Sequence, residues 1–141
     1  MSPRQWLPTV IRARQAQEDL RAQQVATARR DLESAVEGLA EQTERVAGLA
    51  LPATASVSEF HAGIADQQLH VARLSAAGHR VRFADARLQT ELAGLTEAAR
   101  SRRTVEKMQE RVQAEQAVTA LAASQREQDE IAISRHLRAA R

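Results

Sequence analysis

The sequence predicts an all-α fold of two long helices, the second longer than the first, folded back on each other as an antiparallel coiled-coil hairpin. Three observations carry this expectation. Helix-forming residues dominate the chain, prolines occur at only three positions, and two apolar seams with heptad spacing lie on either side of the last of them.

Of the 141 residues, 43% count as hydrophobic, largely because Ala is abundant; Trp6, Phe60 and Phe83 are the only aromatics. So little bulky apolar volume excludes a large compact core, while Ala, Arg, Gln, Glu and Leu together point to long helices. The prolines stand at positions 3, 8 and 52, so from Ala53 to Arg141 no residue forbids a continuous helix. Gly63, Gly78 and Gly94 are single glycines, each weakening a helix by about 1 kcal/mol.

The first helix is expected over about residues 8–50, opening near Pro8, whose missing N–H would be unpaired in a first turn, and stopping before Pro52. Its seam is Val25, Ala28, Leu32, Ala35, Leu39, Gln42, Val46 and Leu49, in alternating steps of three and four. The turn occupies about 51–55. Ser56 and Glu59 then form the S-x-x-E spacing of a capping box, which starts a second helix over about 56–139. Its seam runs Phe60, Ile64, Gln67, Val71, Leu74, Gly78, Val81, Asp85, Leu88, Leu92 and Leu95, continues through Ala99 and Arg102, slips at Val105 and resumes at Met108, Val112 and then the Val118/Leu121 region.

Stripes this narrow are buried only against another stripe, so the two helices should zip together as a single coiled-coil unit over 1–141. A turn centred near Thr54 puts Leu32 beside Gly78 and Val10 beside Ala98, leaving residues beyond about Arg100 as an unpaired arm. The charge pattern follows the same division. Residues 1–30 carry a net +4, 31–99 a net −5 and 100–141 a net +3, so the hairpin would be acidic at its loop end and basic where the helix ends meet.

Enzyme chemistry finds no support in these residues. The chain has no Cys, and His61, His70 and His79 are spaced nine apart, about half a turn out of phase at each step, so they do not converge on a metal. A phosphate-binding Gly-rich loop, an H-E-x-x-H pattern and a nucleophile paired with a base are all missing. No cofactor is expected. Arg12, Arg14 and Arg21 with Arg126, Arg135, Arg138 and Arg141 could neutralise phosphates, but Glu18, Asp19, Glu127, Asp129 and Glu130 interrupt them and no stacking aromatics accompany them. A protein-docking face is expected instead, with no nucleic-acid partner. Asp85 and Arg102, charged at seam positions, read as register devices. Apolar runs are too short to span a bilayer, so the chain is expected to be cytoplasmic without direct membrane insertion.

Several stretches resemble a known family. LPTVIRARQAQEDLRAQQVATARRDLE, then SVSEFHAGIADQQ, then RSRRTVEKMQERVQAE followed by QREQDEIAISR, in that order and spacing, resemble the flagellar export stalk family FliJ and, more distantly, the YscO-type stalk proteins of virulence type III secretion. The resemblance implies a non-enzymatic stalk and chaperone component of the export apparatus, peripheral to the inner membrane. Its helix ends would enter the hexameric export ATPase ring and its other end would contact the export gate membrane protein; other export chaperones are further implied partners. Carried over, the ring-binding residues are Arg12, Arg14, Glu18, Arg21, Arg126, Asp129, Glu130 and Ile131, and the gate-binding residues are Leu39, Gln42, Val46, Phe60, Ile64, Gln67 and Val71. Gln42 and Val46 stand where the family often has tyrosines. The alternative from a different class is a structural coiled coil that self-associates through its C-terminal arm.

Overall fold

The computed structural model describes residues 3–50 and 53–140 of the chain; Leu51 and Pro52 of the expected turn, and Arg141 of the basic set, lie outside the described residues. Two helices pack against each other, α1 (Pro3–Ala47) and the longer α2 (Val57–Ala139). The hairpin expected from the two seams is the observed architecture.

α1 begins five residues earlier than expected, at Pro3, so Pro8 lies inside the helix. Pro3 takes the first helical position, where a missing N–H costs nothing, and Pro8 deletes one backbone bond in the second turn. Burial offsets that loss, for Leu7 is 1% exposed and is the largest fully buried side chain. At the other end Gly48 still donates to the Glu44 carbonyl at 3.0 Å and Leu49 to Val46 at 3.2 Å, which closes the last turn.

The start of α2 follows the expected chemistry. Glu59 Oε2 accepts from the Ser56 backbone N–H at 2.7 Å, and the Glu59 N–H donates to Ser56 Oγ at 3.3 Å, a reciprocal capping box. The hydrogen bond from the Ser56 backbone, then that from its side chain, holds the Glu59 carboxyl below its usual range.

Packing divides the chain into two units, Glu18–Ala98 and Met1–Gln17 with Ala99–Arg141. In the first unit all eight expected seam residues of α1 are buried or half-buried, with Val25 at 4% and Ala28 at 0% exposure. The two helices run antiparallel: Arg87 Nη1 donates to Asp31 Oδ2 at 3.3 Å, while Arg21 lies along Gly94 and reaches Glu91 at 3.9 Å. This register sets Leu32 level with the region of Phe83, about one helical turn beyond the expected partner Gly78.

The buried stripe of α2 is wider than expected: of the expected positions, Ile64, Leu74, Gly78, Val81, Leu88, Leu92, Leu95 and Ala99 are half-buried, and His70, Ala77, Ala84, Glu91 and Ala98 beside them are buried or half-buried as well. In the second unit it continues as Arg102, Val105, Gln109, Val112 and Gln116. These positions keep heptad spacing throughout, so no slip occurs at Val105. Asp85, expected in the seam, is exposed, and Ala84 takes its place at 7% exposure. Phe60, Gln67 and Val71 are also exposed, as are Met108, Val118 and Leu121. The most deeply buried positions of α2 are Ala77 and Ala84, whose small side chains carry too little hydrophobicity to mark the phase against their larger neighbours.

In the second unit, half-burial on α2 continues to Gln116 and recurs at Ala122, not ending at Arg100. The earlier start of α1 contributes five residues to this extension, and the shift in register adds to it. From Ala123 to Ala140 every described residue is exposed, a stretch of about five turns.

Candidate functional site

Three surfaces qualify as docking sites. The first consists of the residues expected to face the ring. Arg12 and Arg14 are exposed in the third and fourth turns of α1, with Arg14 donating to Gln17 at 3.1 Å. Glu18 is half-buried. The side chain of Arg21 is engaged within its own unit: Nη1 donates to Gln24 at 3.2 Å and its Cδ and Cζ lie 3.7 Å from where a Gly94 Cβ would stand. Arg126, Asp129, Glu130 and Ile131 all lie on the exposed arm, with Ile131 at 51% exposure and Ile133 and Leu137 exposed on the same arm. The arm presents both charge and unburied apolar side chains.

The residues expected at the gate divide by burial. Leu39, Gln42, Val46 and Ile64 are half-buried, while Phe60, Gln67 and Val71 are exposed. Four of the seven thus contribute to helix packing and three are free to touch a partner. Phe60 stands edge-on to His61, with ring centroids 6.3 Å apart. Nearby polarity is incompletely satisfied: Gln42 Oε1 and His70 Nδ1 are buried without a hydrogen-bond partner, and His70 Nε2 faces Asp66 at 3.6 Å. Each unpaired buried acceptor costs stability.

The histidines do not meet. Arg82 donates to His79 Nδ1 at 2.9 Å, His70 faces Asp66, and among the described residues no group of three potential ligands could hold a metal. Arg102, expected in the seam as a register device, is half-buried and ion-paired with Glu106 one turn on.

The third surface was not singled out from the sequence. Between α1 and α2 in the Glu18–Ala98 unit, a groove of about 640 Å³ runs over a floor of Ala35, Gly38, Ala77 and Ala84. Arg73, Arg80 and Arg87 form one wall, at successive seventh positions of α2, and Asp31 and Glu41 stand on the other. Phe83 is 73% exposed at its rim. The signal was present as the seven-residue arginine spacing beside a run of small seam residues, but small residues read as weak core before the helices are brought together.

No helix among the described residues is long and apolar enough to cross a membrane. No curated protein and no solved structure matches the chain. A family model, described as flagellar FliJ protein, matches residues 4–141. Nearly the whole chain is covered, including both helices and the capped turn into α2, so the protein belongs to the FliJ family of the flagellar export apparatus.

Proposed function

We propose that this chain is a non-enzymatic stalk that places its helix ends within the hexameric export ATPase ring and couples the ring to the export gate. The observation supporting the ring contact is the exposed arm of α2, residues 123–140, which carries Arg126, Asp129, Glu130 and Ile131 outside any helix pairing. Mixed polar contacts of this kind suit reversible docking in a ring, where charge sets orientation and on-rate. Arg12, Arg14, Glu18 and Arg21 supply the α1 side of the contact. The gate contact falls to Phe60, Gln67 and Val71, with Leu39, Gln42, Val46 and Ile64 holding the helix pair beneath them. Export chaperones are further partners, and the working location is peripheral to the inner membrane.

Mixing the full chain with its cognate ATPase tests the ring reading. Ring assembly or faster hydrolysis is expected, and Arg126→Glu combined with Ile131→Asp should abolish it while helicity is retained, because both side chains are exposed. Absence of binding by the unaltered chain would remove this reading.

A further inference from the structure

The groove in the Glu18–Ala98 unit shares only Gln42 with the proposed gate contact, and its chemistry is self-complementary. Its floor is open: a Cβ added at Gly38 would meet nothing within 4 Å. Its rim holds a large apolar side chain, Phe83, with nothing covering it. One surface therefore carries both a knob and a hole. Charge is arranged the same way, with the acids of α1 along one wall and the arginines of α2 along the other. Among the described residues Arg73 and Arg80 have no ion pair, and Glu41 reaches only Arg45, at 3.9 Å.

We infer that this groove is the face through which two copies of the chain associate. Two facing copies related by a two-fold axis have two possible arrangements. With the axis perpendicular to the helices, α1 lies over α1 and the order along the groove inverts, which sets Asp31 against Glu41 and Arg73 against Arg87. Like charges then meet at both ends. With the axis parallel to the helices, α1 of one copy lies over α2 of the other at the same level. Glu41 then faces Arg73, Asp31 faces Arg87, Ser34 faces Arg80, and each contact occurs twice. Phe83 seats over the small residues of the opposite α1. Only the second arrangement is electrostatically complementary, so the copies run parallel, as a four-helix pairing centred on the groove.

Sedimentation equilibrium of the full chain from micromolar to submillimolar concentration tests this. A monomer–dimer equilibrium is expected. Phe83→Ala and Gly38→Leu should each weaken it by at least tenfold, with circular dichroism unchanged because Phe83 is exposed and the space above Gly38 is open. Arg73→Glu should weaken it, and adding Glu41→Arg should restore it, since the two residues meet across the axis. Leu121→Ser on α2 outside the groove should leave it intact. A chain that stays monomeric throughout, a dimer indifferent to Phe83→Ala and Gly38→Leu, a charge swap that fails to restore, or a dimer lost on Leu121→Ser would each overturn the proposal. None of these readouts involves the ATPase, so the outcome is independent of the stalk reading.

Discussion

Ser56 and Glu59 begin an 83-residue helix with two hydrogen bonds, and no other described residue plays an equivalent part at the N-terminus of α2. Replacing Ser56 with Ala removes the acceptor for the Glu59 N–H and should cost about 1 kcal/mol, measurable as a lower urea midpoint. Glu59 gives this cap a pH dependence. Its folded pKa lies below the unfolded value, so its contribution is present above the unfolded pKa and is lost as pH falls through the folded one. Stability measured from neutral pH downward should fall in the acid carboxylate range, and Glu59→Gln should flatten that part of the profile. Gly94 offers a change of the opposite sign. An added Cβ would meet the Arg21 side chain at 3.6 Å or more, ordinary van der Waals contact. Gly94→Ala should therefore raise the unfolding midpoint, gaining about 1 kcal/mol of helix propensity.

Each helix is stabilised by a narrow stripe, and the stripes differ in what fills them. On α1, larger side chains such as Leu32, Leu39 and Val46 alternate with Ala28 and Ala35; on α2, Ala77 and Ala84 allow close approach. Ala28 has no exposed surface, so Ala28→Leu would force the helices apart, at a cost of about 1–3 kcal/mol read by chemical denaturation. Leu7→Ala acts on the start of α1, where Pro8 has already removed one backbone bond. A loss of about 2–5 kcal/mol is expected for a buried Leu, and hydrogen exchange should rise first in residues 6–12 and leave 25–35 protected. The cross-helix ion pairs add little by comparison. Arg87 and Asp31 are both about half exposed, and pairs of that kind contribute about 0–1 kcal/mol.

Across the whole molecule, burial is graded along α2. Its stripe is continuous from His70 to Gln116, and every described residue after Ala122 is exposed. Amide exchange should accordingly be fast from 123 to 140 and slow across the seam of the Glu18–Ala98 unit, and binding of the ATPase should protect the arm selectively. Equal protection of arm and seam in the isolated chain would contradict the burial pattern.

Local sequence rules determined the helical class, the two-helix order, the capping box and all eight α1 seam positions, because each rests on spacing along one helix or on bonds between residues three or four apart. The family resemblance was also legible, in the order of QREQDEIAISR and its companions. Register, the phase of the α2 stripe and the groove were decided by tertiary structure. Val81 and Leu88 stood in the seam under either phase, whereas the choice between Ala84 and Asp85 depended on how closely α1 could approach. Ala and Gly acquire meaning only when a second helix stands opposite: the same small side chain is a weak core residue in sequence, a close contact at Ala84, and an opening at Gly38.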